Sequence, residues 1–375
     1  MAEPFKNSFN TEIIKGMGEH FLSAWPEFDC AGFVETATHR LDTLELKARS
    51  NQITEAMVQY LPDDFERSGE IILATLTPDD DGDISGITVT SDGIAGWAIM
   101  PMAHYAGLHG ANHLELAMNL LKELTKRFTS EFGIRFLLLE KQEETLEILS
   151  QWTNDKSRHV RRLVSEGTRP RLPWAMQLSA FVKDPAPLLP LLEALKDDPE
   201  EYVRRSVANN LNDIAKDHPE RVAEVAEHWL VDANRSREKL VRHACRTLIK
   251  QGHQRTLQAL GYGEPKIKLN HLNVVTPTVD FGQTLIFELS LTSMSHEAQP
   301  LIIDYIIHHQ KASGEMTPKV FKWKNMTLHP EKTITVQKRH AIKKVTTRVY
   351  YPGEHRIEIV VNGVSQAVVD FELLM

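Results

Sequence analysis

Up to about residue 260, apolar positions recur at i, i+3, i+4 and i+7 with few β-branched runs, the spacing that predicts amphipathic helices. After "GYGEP" (261–265) the period drops to two. "TLIFELSL", "PLIIDYII", "KVFKWKNMTL", "KTITVQKR", "HRIEIVVNG" and "VVDFEL" then follow one another between turn residues, at the spacing of a β-sandwich. The expected organisation is a helical region over 1–260, a linker at 261–265 and a strand-built domain over 266–375.

The helical region contains a repeat. "SRHVRRLVSEG" (157–167), "EEYVRRSVANNLNDI" (200–214) and "EKLVRHACRTLI" (238–249) superpose on Val160, Val203 and Val241. Val164, Val207 and Cys245 fall one turn later, so each segment carries one stripe to bury. Each is preceded by another amphipathic stretch: "ETLEILSQWT", "PLLPLLEALK" and "RVAEVAEHWL". Helix pairs recurring at about forty residues mark HEAT-type repeats, which stack into a solenoid with a concave wall. "TEAMVQYL" and "HLELAMNLLKELTKRF" read as further helices of the stack. The acidic loop "TPDDDGDISG" (77–86) between them lacks the glycine and closing glutamate of a calcium site. The fold class expected is multi-domain α and β, an N-terminal all-α HEAT-like solenoid followed by a C-terminal immunoglobulin-like β-sandwich.

Composition changes the picture only locally. With 42% apolar and 25% charged residues the chain is globular, and no apolar run approaches membrane-spanning length. The opening "MAEPFKNSFN" has no signal-peptide pattern, and the two distant cysteines, Cys30 and Cys245, read as free thiols of a reducing cytosol. The net charge of −8 is uneven: residues 1–144 hold 11 Lys and Arg against 24 Asp and Glu, whereas 145–255 hold 19 against 16. A basic face in the later repeats is therefore compatible with an acidic whole.

The positive charge is densest in "HVRRLVSEGTRPRLPWA" (159–175). Helical geometry puts Arg162 and Glu166 at i, i+4, opposite Val160 and Val164, with Arg205 and Asn209 in the same places one repeat on. Arg161, Arg204 and Arg242 also fall in register. Stacked arginines repel unless something anionic crosses them, which points to a phosphate track. Pairing with the carboxylates before each helix, such as Asp155 and Asp198, would satisfy the first arginine of each pair equally well. Gly167 ends the helix, and Pro170 with Pro173 stiffens a connection that would display Arg169 and Arg171. Trp174 then begins a helix with Leu178 and Phe181 at +4 and +7, spacing that fits a core tryptophan better than an exposed one. Glu166 weakens any phosphate wall, so it is either an ion-pair partner of Arg162 or an anion aimed at positive charge developing in a reaction.

Three stretches carry a resemblance. "SEGTRPRLPWA" (165–175), "SVANNLNDIAKDHPE" (206–220) and "FTSEFGIRFLL" (128–138) resemble the HEAT-repeat alkylpurine DNA glycosylases of the AlkC and AlkD type, the AlkC branch more closely. The C-terminal strands, with "VYYPGEHRIEIVVNG" (349–363), resemble the immunoglobulin-like domain of a subset of AlkC proteins, without the usual inter-sheet disulfide. The resemblance implies a monofunctional DNA glycosylase releasing cationic alkylated bases, chiefly 3-methyladenine, in base excision repair. It implies Glu166, Glu131 and Trp174 as catalytic residues. The DNA contacts expected are Arg161, Arg162, Arg169, Arg171, Arg204, Arg205, Asn209, Asn210 and Arg242.

The partner implied is double-stranded DNA with alkylated bases, bound by a cytoplasmic monomer with no cofactor, metal or membrane. "HHQK" (308–311) and "QKRHAIKK" (337–344) either clamp DNA from the sandwich or form a solvated strand edge. His104, His109 and His113 cluster in "HYAGLHGANH", but Asn112 with Glu115 reads as a helix cap and its partner rather than a zinc site. No Walker loop, dinucleotide fingerprint or Schiff-base lysine stands out. The alternative is a silent HEAT scaffold that binds DNA or protein through the same surface.

Overall fold

The computed structural model describes residues 4–79, 82–84, 86–346 and 348–375. The chain divides into two compact units, one up to Asp217 and one from His218 onward. Asp80, Asp81 and Ser85 of the acidic loop, and Thr347, lie outside the described residues.

The first unit is helical. After a 3₁₀ turn (Phe5–Ser8) come α1 (Thr11–Ala24), α2 (Cys30–Thr38), α3 (Leu46–Tyr60), α4 (Phe65–Ala74), α5 (Ile99–His109) and α6 (Leu114–Thr125). They are followed by α7 (Ile134–Glu140), α8 (Gln142–Trp152), α9 (Arg158–Gly167), α10 (Ser179–Lys183), α11 (Leu189–Leu195) and α12 (Glu201–Ile214). Helix α9 begins where Ser157 Oγ accepts from the His159 N–H, at 3.3 Å, satisfying one of the orphan donors of its first turn. It ends at Gly167, where a Cβ would stand 2.6 Å from Ile134 Cγ2, so close packing on α7 selects that glycine. Gly133 does the same before α7, since a Cβ there would lie 2.1 Å from the Ala103 carbonyl oxygen of α5.

Val160, Val164, Val203 and Val207 are fully buried, as the repeat alignment requires. Helix α9 packs against α6, α8, α11 and α12, so more than one of its faces is covered. That is why Glu166 is buried rather than exposed opposite Val160, a correction to the helical-wheel expectation. The N-cap expected at Asn112 is also not formed: a 3₁₀ turn spans Ala111–His113, and α6 starts with no side-chain cap bond. His104 packs on Phe132 and Phe136, where burial pulls its pKa down to about 4. Among the described residues no group of His, Cys, Asp or Glu is arranged to hold a metal.

The second unit opens with α13 (Pro219–Leu230), α14 (Arg235–Ala244), α15 (Arg246–Gln251) and α16 (Gln254–Ala259). Strands follow: β1 (Ile267–Val274), β2 (Thr278–Asp280), β3 (Thr284–Ser293), β4 (Gln299–Gln310), β5 (Met316–Leu328), β6 (Thr333–Ala341), β7 (Gly353–Val361) and β8 (Val364–Leu374). They form sheets ordered β1-β3-β6 and β2-β8-β7-β4-β5, antiparallel except for β2 beside β8. Alternate residues point inward, and Phe287, Leu289, Ile303, Tyr305, Ile357 and Ile359 build the core between the sheets. Strands β1 and β2 were not among the expected segments. A register shift between Leu269 and His271 breaks the period of β1, and β2 has only three residues.

The two polar segments of the sandwich differ: 308–310 lies on β4 inside the larger sheet, whereas 337–344 starts on the edge strand β6 with Gln337, Arg339, Lys343 and Lys344 exposed. His309 is buried, His308 bonds Glu358 at 2.8 Å, and His340 bonds the Tyr305 hydroxyl at 2.8 Å. Cys30 and Cys245 are free thiols, and burial pushes Cys245 up to about 12. No helix among the described residues is long and apolar enough to cross a membrane.

Burial, and then Arg348, pulls the His309 pKa down to about 3, and burial, then Lys338, pulls His340 down to about 4. Both titrate near 6.5 when unfolded, so below that pH the unfolded chain binds protons the folded chain refuses. Stability is therefore expected to hold above pH 6.5 and to fall as pH drops toward 4. Calorimetric Tm against pH checks this, and replacing His309 by Gln should flatten the fall.

Candidate active site

The site is built where α9, α12 and the turn before α7 meet. Glu166 is 5% exposed, and both carboxylate oxygens are engaged. Oε1 accepts from Arg169 Nη1 at 2.7 Å and lies 3.5 Å from Arg162 Nη2, while Oε2 accepts from Ser206 Oγ of α12 at 2.6 Å. Burial alone would raise its pKa, but Arg162, Arg169 and the Ser206 hydroxyl outweigh that and hold it below the usual range. Arg169, expected to be displayed, is instead buried, because its Nε also donates to Asp213 Oδ2 at 2.8 Å. Asp213 in turn accepts from Lys216 Nζ at 2.8 Å.

Glu131 occupies the other end of this chain of charges. Its Oε2 lies 2.6 Å from Arg162 Nη1 and accepts from Thr129 Oγ1 at 2.7 Å. Arg162 Nη1 also donates to Thr129 Oγ1 at 2.9 Å, and its guanidinium lies 5.3 Å over the Tyr202 ring. Burial works against that guanidinium, but Glu131, Glu166 and Tyr202 raise its pKa further. Among the described residues, Glu131 Oε1 has no hydrogen-bond donor. The Glu131 side chain keeps 12% of its surface against 7% for Glu166.

Trp174 is 56% exposed at φ 67°, outside any helix. The core spacing with Leu178 and Phe181 is therefore a correction: those two are buried, but the helix begins only at Ser179, which leaves Trp174 in the loop before it. Its ring meets Phe5 edge-on at 6.1 Å. Both line an open cavity of about 620 Å³ with Leu46, Trp97, Met100 and Phe132, rimmed by Lys6, Glu45 and Lys47.

The row of arginines expected to contact DNA is largely used up inside the fold. Arg161 grips the Asp198 carboxylate at 2.6 and 3.1 Å, an inter-repeat pair, whereas Arg204 donates to the Asp198 backbone carbonyl just before its own helix. Asn210 is fully buried and donates to the Ser165 carbonyl at 2.8 Å, so it is no surface contact. Arg171 is part exposed and paired with Asp217 at 2.8 Å through two bonds. Arg205 keeps 63% of its side-chain surface, beside Glu201 at 3.5 Å, and Asn209 is half-buried. Arg242 belongs to the second unit, exposed, with Nη1 donating to the Tyr262 hydroxyl at 3.1 Å.

Sequence reasoning assigned no role to Asp213, Ser206, Thr129 or Arg135. Arg135 is fully buried and donates only to backbone carbonyls among the described residues. One signal was available, a lone cation among the apolar residues of "GIRFLLL".

Fold and site together define a helical-repeat protein with a buried carboxylate–guanidinium centre and an appended β-sandwich. Comparison with known proteins agrees. Residues 127–248 match the DNA alkylation repair enzyme family, and residues 268–375 match the C-terminal Ig-like domain of YhaZ. An uncharacterised protein, YhaZ of Bacillus subtilis (strain 168), is 34% identical over 372 residues, 98% of this chain and 99% of that one. A solved structure, the Pseudomonas fluorescens alkylpurine DNA glycosylase AlkC bound to DNA containing an abasic site analogue, is 33% identical over all of both chains, with a TM-score of 0.85. The chain belongs to the AlkC branch of the HEAT-repeat alkylpurine DNA glycosylases, in the subset with a C-terminal immunoglobulin-like domain.

Removing one member of a buried ion pair strands the others. Glu166→Ala is expected to cost about 3 kcal/mol or more of unfolding free energy, whereas Arg205→Ala should leave stability near wild type. Urea unfolding followed by circular dichroism reads both.

Proposed function

We propose that the chain is a monofunctional DNA glycosylase that hydrolyses the N-glycosidic bond of cationic alkylated bases in double-stranded DNA. The expected main substrate is 3-methyladenine, released as the first step of base excision repair. The single observation carrying the mechanism is the asymmetry of Glu131: Oε2 is fixed by Arg162 and Thr129, while Oε1 accepts no bond among the described residues. A base alkylated at N3 is already a cation and leaves without a general acid. What remains is to stabilise an oxocarbenium-like sugar and to hold a water for attack, both suited to a carboxylate with one oxygen open.

Glu166 serves differently from a lone anion facing the sugar. It holds Arg162 and Arg169 in place and keeps the local charge balanced, so Glu131 is oriented without being neutralised. Trp174 offers an exposed ring to the cationic base or its sugar. With Arg161, Arg169 and Arg204 bound internally, phosphate contacts fall to groups such as Arg205 and Arg171.

The reading is tested by incubating the protein with methylated DNA and identifying the freed base. Glu131→Gln is expected to lower base release by a factor on the order of 100 or more while DNA affinity holds or rises. Release equal to wild type in this variant would reject the role of Glu131. A protein that binds methylated DNA and frees no base would instead be a scaffold. Arg205→Ala should weaken binding to all sequences alike and reduce the salt slope by roughly one phosphate. Affinity measured over a salt series checks it.

A further inference from the structure

Trp174 poses a problem of support. It lies in a stretch from Thr168 to Leu178 that contains no regular secondary structure, and its backbone is left-handed at φ 67°. A non-glycine residue in that conformation costs on the order of 1–3 kcal/mol and persists only where its surroundings hold it. Its own packing does little, since Trp174 is 56% exposed and, among the described residues, its ring partner is Phe5, itself 62% exposed. Within the stretch, the backbone bonds are Ala175 N–H to the Leu172 carbonyl at 3.3 Å and Leu178 N–H to the Pro170 carbonyl at 3.1 Å.

Arg169 and Arg171 anchor the stretch through their side chains to Asp213 and Asp217, and Arg135 fastens its backbone. Arg135 Nη1 donates to the carbonyls of Gly167 at 2.9 Å and Arg169 at 2.8 Å, while Nε and Nη2 donate to that of Met176 at 2.9 and 2.5 Å. One rigid, planar group thus ties the residue after Glu166 to the residue two beyond Trp174. A guanidinium spreads five donors over a planar fork that spans these carbonyls, whereas an ammonium has three donors on a single nitrogen and cannot reproduce that span.

The choice is costly. Arg135 is fully buried and has no carboxylate within ion-pair distance among the described residues. Burial pulls its pKa down to about 10, so it stays charged at neutral pH. A cation kept only to stabilise a core would be expected to have an acid partner. Glu131, Asp213 and Glu166 favour the charge of this one only through space, and each of its hydrogen bonds goes to a backbone carbonyl of the loop that carries Arg169 and Trp174 or of the residue that precedes it.

We infer that Arg135 is a positioning residue of the active site, fixing the Trp174 ring relative to Glu166 by clamping the carbonyls of Gly167, Arg169 and Met176. The inference rests on the glycosylase reading for its consequence, but not for its geometry.

The test compares Arg135→Lys, Trp174→Ala and the double variant, using base release from methylated DNA with enzyme in excess. Each single variant is expected to lose roughly 10- to 100-fold in rate, with DNA affinity little changed. The double variant should be no slower than Trp174→Ala alone, because Arg135 acts through Trp174. Additive losses would overturn the assignment and make Arg135 a structural residue.

A second readout is independent of activity. Acrylamide quenching of Trp174, taken as the difference between each protein and its Trp174→Phe counterpart, should change in Arg135→Lys. An unaltered signal would overturn the proposal. Wild-type protein that frees no base would remove the functional reading and leave quenching to decide the role of Arg135. Failure of both Arg135→Lys and Arg135→Gln to fold would assign the residue to the stability of the whole helical unit, again overturning the proposal.

Discussion

The first unit depends on a buried line of alternating charges: Glu131, Arg162, Glu166, Arg169, Asp213 and, at its outer end, Lys216. No member is satisfied alone. Glu166 without its arginines would be a desolvated carboxylate, and each arginine without its acids a desolvated cation, states that cost several kcal/mol per ion. The line joins the turn before α7 to α9, the following loop and α12, so the register of these four elements is set by charge pairing as well as by apolar packing. The chemistry proposed falls to its end: among the described residues the last carboxylate, Glu131, is bonded through one oxygen only.

That arrangement separates two tasks which a single carboxylate in an open hollow would have had to combine. Glu166 is held from three directions and cannot reorient, which suits a group that orders its neighbours. Glu131 borrows that rigidity through Arg162 while keeping an oxygen available. Preorganisation of this kind lets an anion meet developing positive charge without first rearranging its surroundings. Trp174, proposed for the same site, is placed by different means: neither burial nor regular structure holds it, and its loop is fastened by Arg169, Arg171 and the carbonyls that Arg135 binds.

The residues named from the sequence divide by what fixes them. Glu166, Arg162 and Arg169 were legible as candidates, because arginines crowded around an acid in an acidic chain stand out by type alone, whereas Glu131 was named only through the family resemblance. Their connections were not legible. Arg169 finds Asp213 44 positions away and Glu166 finds Ser206 40 positions away, and nothing in local spacing announces such pairs. Arg161 and Arg162, adjacent in sequence, part company for the same reason: one reaches Asp198 and the other Glu131. The tryptophan was read through a helical period that begins only at Ser179, so its exposure depended on backbone geometry rather than on its spacing from Leu178 and Phe181.

The sequence by itself determined the kind of structure. Period and turn residues placed helices before about residue 260 and strands after it, and aligned Val160 with Val203 and Val241 as buried stripe positions. Those features are local, written within a turn or a strand pair, and solvent exclusion of apolar surface enforces them everywhere. Only the tertiary structure decided which charges are spent holding the fold and which remain for chemistry. That division depends on distances between segments distant in sequence, because a guanidinium facing water and one facing a carboxylate are the same residue until another helix arrives beside it.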